Sequence, residues 1–167
     1  MMNENESITV DKVPSGEIIR AQMIDGAGIA QLVNYWAAQG QMLPRTLGET
    51  YEHLRDFYVV RSDDDIVGCA ALHLVWSDLA EVKSVAVDEK MQGKGLGALL
   101  VNSCVDEARR LGLARVFALT YQPDFFERLG WVKADVMNLP RKVWNECYRC
   151  PKFPSCDEIA MVLELSS

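Results

Sequence analysis

One stretch constrains the fold more than any other: Val85-Ala86-Val87 runs into Gln92-Gly93-Lys94-Gly95-Leu96-Gly97-Ala98, and an amphipathic segment follows. The β-branched run ending at Asp88 reads as a strand. The three glycines at alternate positions read as a tight loop that a ligand can approach closely. Leu96, Leu100, Cys104, Ala108 and Leu111 recur on one face of the following helix. A helix starting behind such a loop offers unpaired N–H groups and its positive dipole end, which together suit an anion and above all a phosphate. The loop is neither Gly-x-Gly-x-x-Gly nor a Walker Gly-Lys-Ser/Thr, so dinucleotide and P-loop readings do not apply.

The remaining chain surrounds this stretch with a mixed α/β pattern. Glu17–Ala21 is an expected first strand. A helix carries Ile29, Leu32, Val33 and Trp36 and ends near Gly40. Pro44 makes 42–45 a loop, and Thr46 with Glu49 is a capping box for a second helix, with Leu47, Tyr51 and Leu54 inward. Strands follow at 57–61, 66–75 and 79–87, separated by turns at 62–65 and 77–78. After the long helix come a strand at 114–119, a short helix at 124–129 opened by Pro123 and closed by Gly130, a strand opening at Trp131-Val132, and a last strand at 159–165. The class is α/β, with a mostly antiparallel central sheet flanked by helices and the glycine loop at a strand's carboxyl end, where ligands of open sheets collect.

Composition limits the partners. The 167 residues fit one domain with a real core, and the formal net charge of −7 supplies no basic field for nucleic acid. No apolar run reaches membrane-spanning length, and the acidic first residues do not resemble a signal peptide. The expectation is a flexible tail over 1–15, one domain over 16–167, and a reducing, cytoplasmic setting for the five cysteines.

Gln92, Gly95 and Gly97 after a Val-Ala-Val strand resemble the Arg/Gln-x-x-Gly-x-Gly/Ala pyrophosphate loop of the GNAT N-acetyltransferases. That resemblance implies the GNAT fold and acetyl-CoA as co-substrate, contacted by Val85, Ala86, Val87, Gln92, Gly93, Lys94, Gly95, Leu96, Gly97 and Ala98. Segments 42–45, 66–72, 80–87 and 116–120, with Leu139-Pro140-Arg141-Lys142, are similar to the acetyltransferase domain of bacterial N-acetylglutamate synthases. Many of those carry a preceding amino-acid-kinase domain, so this chain resembles a short form. The implied reaction acetylates the α-amine of glutamate, the first step of arginine synthesis. Other amines or a protein N-terminus are the alternative acceptors, and a silent acyl-CoA-binding module is the alternative class.

The resemblance gives Glu81 the role of base, although a strand ion pair with Lys83 explains it as well. It gives the oxyanion a main-chain N–H at Ser84 or Val85. The family's usual acid, a tyrosine in a Tyr-x-x-x-Gly-Phe run, is replaced here by Phe126. Tyr121 at the end of the preceding strand is the substitute, with an ordinary half-buried aromatic as the alternative. Arg45, Lys83, Ser84, Arg141 and Lys142 are the candidate acceptor contacts, Arg45 foremost, because a guanidinium matches a carboxylate. A second copy of the chain stays open as a partner.

Cys147, Cys150 and Cys156 stand in a Cys-x-x-Cys run with a third thiol. Zinc there lacks a fourth nearby ligand, and His53 and His73 are far away in sequence, so a proline-stiffened loop with packed thiols is preferred and no metal site is assigned.

Overall fold

The computed structural model describes residues 12–13, 16–139 and 158–165. The elements run β1 (Lys12–Val13), β2 (Gly16–Arg20), α1 (Gly26–Ala37), α2 (Leu47–Glu52), β3 (Phe57–Ser62), β4 (Asp65–Trp76), β5 (Leu79–Val87), α3 (Leu96–Arg110), β6 (Arg115–Thr120), α4 (Pro123–Arg128), β7 (Val132–Ala134) and β8 (Ile159–Glu164). They form one sheet in the order β1-β2-β3-β4-β5-β6-β8-β7. Every pairing is antiparallel except β5 with β6, which α3 connects as a crossover. The α/β class and the three-strand meander expected over 57–87 are both present. Within the stretch expected as a tail, Lys12–Val13 pairs with Gly16–Glu17.

The sheet is buried on both faces at its centre, so β4 reads as a continuous apolar run from Ile66 to Leu72. Ala70, Leu72, Ala80 and Val82 pack beneath Leu96, Leu100 and Cys104 of α3. The alternate residues Cys69 and Ala71 pack against Ile29, Leu32 and Val33 of α1. This period-2 division leaves Glu81 and Lys83 on the face opposite α3. Among the described residues, no helix is long and apolar enough to cross a membrane.

Several inward expectations change. The capping box at Thr46 and Glu49 is present, but α2 has only six residues before a 3-10 turn at Leu54–Asp56. Leu54 is inward as expected and Thr50 joins it, whereas Leu47 and Tyr51 are substantially exposed. Leu111 is exposed because α3 ends at Arg110, and Leu113 enters the core in its place. Trp131 precedes β7 instead of opening it, and packs edge-on against Phe126 at 4.9 Å.

Asp25 opens α1 with its carboxylate buried. Arg61 donates to it twice, from Nε and Nη2, each at 2.7 Å, and the Gln22 amide donates at 2.7 Å. Burial alone raises the Asp25 pKa, but the Arg61 and Gln22 hydrogen bonds outweigh it and hold the group below 3.8. A depressed carboxylate stabilises the fold above its unfolded pKa, and that contribution is lost as pH falls through the lower folded value. Arg61→Ala is therefore expected to cost about 2–3 kcal/mol at neutral pH, discounted for the partial exposure of Arg61. Urea titrations at neutral pH and below pH 3.8 check this, since the cost should shrink in acid.

Candidate active site

The site begins where two strands part. β5 and β6 are paired only through Leu79–Arg115, Ala80–Val116 and Glu81–Phe117. Beyond that point a cleft of about 660 Å³ opens between residues 82–87 of β5 and residues 118–122. Main-chain groups on an unpaired strand edge need partners, so this edge can receive an extended amide-bearing ligand as an added strand.

The β4–β5 register slips inside the same segment. Cys69 faces Ala86 and Ala71 faces Lys83, so Ser84 and Val85 together oppose Ala70. Ser84 takes φ +54°, uncommon for a residue with a Cβ. This is a β-bulge, which takes main-chain groups out of the ladder and re-aims the strand. The Cys69 thiol donates to the Ser84 carbonyl at 3.4 Å from behind. Burial pushes the Cys69 and Cys104 thiols up to about 12, so both are inert packing groups.

The glycine loop forms the far end of the cleft. Asp88 Oδ1 accepts from the Lys90 amide at 2.9 Å and starts a 3-10 turn over Glu89–Met91. Gly93 and Gly95 then adopt φ +77° and +80°, which a side chain at either position would strain. Gly95 is the N-cap of α3, and the Leu99 amide makes the first intrahelical bond, to Gly95 O at 3.2 Å. The amides of Leu96, Gly97 and Ala98 precede that bond and lie where the cleft ends. Of the ten expected cofactor residues, nine line the cleft. Lys94, exposed on the loop, does not. Gln92 reaches back, its Nε2 donating to Val87 O at 3.4 Å.

The same Val87 carbonyl accepts from Trp36 Nε1 at 3.1 Å, joining α1 to the end of β5. Trp36 also lines the cleft, with Gln41 and Met42 of the loop that follows. That loop is held by Asn34, whose side chain accepts from Arg45 N at 2.8 Å and donates to Arg45 O at 2.7 Å. A helical amide clamping the main chain eleven residues on leaves no local pattern, and sequence reasoning missed it.

A smaller recess adjoins the cleft across β5, sharing Lys83 and Ser84 with it. Arg45 lines this recess, so three of the five expected acceptor contacts meet there. Arg141 and Lys142, like Cys147, Cys150 and Cys156, lie outside the described residues. Glu81 lines neither space. Its Oε2 is 3.8 Å from Lys83 Nζ, and each side chain is 13% exposed. Tyr121 lines the cleft at the end of β6 with its hydroxyl oxygen buried. Thr120 and Phe125, also on that wall, were not foreseen. Nor was the meeting of His53, Asp56 and His73 on the wall of the recess.

A strand splayed from its parallel neighbour, bulged opposite the cleft and followed by a glycine loop at a helix start defines an acyl-carrier cleft. Residues 30–131 match the acetyltransferase (GNAT) family model, and the chain belongs to that family. It is 38% identical over 133 residues to an amino-acid acetyltransferase of Mycobacterium tuberculosis, covering 78% of this chain and 76% of the relative. It is 37% identical over 145 residues to an uncharacterized N-acetyltransferase of Chlorobaculum tepidum, covering 87% and 94%. Among solved structures, a Mycobacterium tuberculosis protein in complex with CoA superposes with TM-score 0.77 at 33% identity, over 89% of this chain and 99% of that one. N-acetylglutamate synthase from Neisseria gonorrhoeae, complexed with coenzyme A and N-acetyl-glutamate, superposes with TM-score 0.83 at 26% identity. That match covers 93% of this chain and 36% of the gonococcal one, so the chain spans about a third of that enzyme's length. The chain is thus an acetyltransferase homologous to amino-acid acetyltransferases.

Proposed function

We propose that the protein transfers the acetyl group of acetyl-CoA to the α-amine of an acidic amino acid, L-glutamate first, as in the opening step of arginine biosynthesis in the cytoplasm. The observation that carries this reading is the continuity of the site. A cleft with helix amides at one end adjoins, across the bulged strand, a recess bearing Arg45 and Lys83. The amino-acid acetyltransferase relatives and the gonococcal complex support the acceptor.

In this reading the amides of residues 96–98 hold the diphosphate and the free edge of β5 pairs with the pantetheine amides. The thioester then lies at the Ser84–Val85 bulge. The acceptor ammonium loses its proton to Glu81 through water, beside Lys83. The free amine attacks the thioester carbonyl, and a main-chain N–H at the bulge stabilises the oxyanion. Collapse expels the CoA thiolate while the nitrogen sheds its second proton to water, and Tyr121 protonates the thiolate and regains its own proton from solvent. Arg45 and Lys83 fix the acceptor's carboxylates.

CoA release from acetyl-CoA, measured over a panel of glutamate, glutamine, other amino acids, a polyamine and a peptide N-terminus, tests the proposal. Turnover highest with glutamate is the expected result. Turnover confined to a polyamine or peptide would reassign the acceptor, and binding of acetyl-CoA without any turnover would make the chain a binding module. Arg45→Ala is expected to raise the KM for glutamate by about tenfold or more, since a charged hydrogen bond is worth about 1.5–3 kcal/mol. The KM for acetyl-CoA should not follow, because Arg45 is outside the cleft.

A further inference from the structure

The wall of the acceptor recess carries a cluster to which the proposed reaction gives no role. α2 ends at Glu52, and the chain tightens into the 3-10 turn at Leu54–Asp56. This turn brings His53 and Asp56, three residues apart, onto one side. His73 reaches them from β4, seventeen residues beyond Asp56. His73 Nδ1 is 2.9 Å from Asp56 Oδ2, and His53 Nδ1 is 3.8 Å from the same oxygen. One donor atom from each of the three residues lies within 4.8 Å of the others. The two imidazoles meet edge to face, 5.3 Å between centroids.

We propose that His53, Asp56 and His73 form a binding site for a divalent transition-metal ion of the zinc class, with its remaining coordination positions open to the recess. Zinc takes imidazole nitrogen and carboxylate oxygen at about 2.0–2.2 Å, which places tetrahedral ligands about 3.4 Å apart. The observed 2.9 and 3.8 Å bracket that spacing and the two histidines' ligand atoms lie within 4.8 Å, so small adjustments at the 3-10 turn, widening the first pair and closing the others, complete a three-ligand set. Two imidazoles with one carboxylate suit zinc, cobalt or nickel, and disfavour magnesium and calcium, which prefer oxygen. The three residues are partly buried, with side-chain exposures of 43%, 25% and 32%, so an ion can enter from solvent. Glu49 on the recess wall adds attraction, and Arg45 and Lys83 oppose it. The affinity is therefore below that of a closed four-ligand structural site. Ion binding needs no particular acceptor, and it stands or falls independently of the proposed reaction.

Titration of the full chain with Co²⁺, followed by its visible d–d bands and then by displacement with Zn²⁺, tests the site. The expected result is a saturable Co²⁺ spectrum whose imidazole–carboxylate component weakens by at least about tenfold in affinity in His53→Ala and in Asp56→Asn. Loss of a mere partner of a metal ligand costs about 10–100-fold, and a direct ligand costs no less. His53 is the most exposed of the three, and circular dichroism shows whether that variant keeps the fold. No Co²⁺ spectrum in the parent would overturn the proposal. So would a spectrum carrying thiolate charge-transfer bands that survives His53→Ala and disappears in Cys150→Ser, which would place the ion in the cysteine segment.

Discussion

Glu81→Gln is expected to lower kcat by about 10²–10⁴-fold, the usual worth of a positioned general base, with acetyl-CoA affinity unchanged. The substitution keeps the side chain's size on β5, so the Ala80 and Val82 packing under α3 stays in place. It removes the charge proposed to accept the amine's proton, and with it the ion pair to Lys83. The pH profile separates this from a merely structural role. In the parent, log kcat/KM should rise through an acid limb that reports the base, and that limb should be missing in Glu81→Gln. Lys83→Met is the companion variant, because Lys83 Nζ is 3.8 Å from the Glu81 carboxylate. If Glu81 serves only as the ion-pair partner of Lys83, the two variants will lose activity equally and keep the parent's pH profile. Unchanged turnover in Glu81→Gln would mean that the amine reaches the thioester already deprotonated.

Gly97→Pro is expected to weaken coenzyme A binding by about tenfold to a hundredfold while the fold persists. Residue 97 is in the first turn of α3, where proline is tolerated because its missing N–H has no intrahelical acceptor. The deleted donor is one of the three proposed to face the diphosphate, and a hydrogen bond to a charged group is worth about 1.5–3 kcal/mol. Gly97→Ala controls for bulk. A Cβ there meets Phe125 Cζ at 3.5 Å and Val87 Cγ2 at 3.8 Å, which is ordinary contact. Calorimetry with coenzyme A should therefore show the alanine variant close to the parent and the proline variant well below it. Equal affinity for all three would remove the helix amides from the cofactor site.

Much of the fold was legible because the local signals agreed with the tertiary outcome. Thr46 and Glu49 cap a helix in the chain as in the pattern, Pro123 opens α4, and Gly130 closes it with φ +91°. Failures fell where a helix was shorter than its apolar pattern. Leu47 and Tyr51 turned outward once α2 gave way to a 3-10 turn after six residues. In the site, the cofactor loop was readable because glycine spacing, a β-branched run and a helix start are all local. The clamp of Asn34 on Arg45 and the bond from Trp36 to Val87 were not, since each joins segments with no shared periodicity.

By itself the sequence determined the order of elements from β2 onward and the glycine loop with its helix amides, because each depends on neighbours within a few residues. Tertiary structure alone decided that β5 and β6 part after Glu81 and Phe117, that the extra residue of the bulge falls at Ser84 and Val85, and that His53, Asp56 and His73 come together. Those outcomes depend on register between strands and on where one element ends against another. A shift of a single residue there re-aims every side chain that follows, and nothing in a local pattern fixes it.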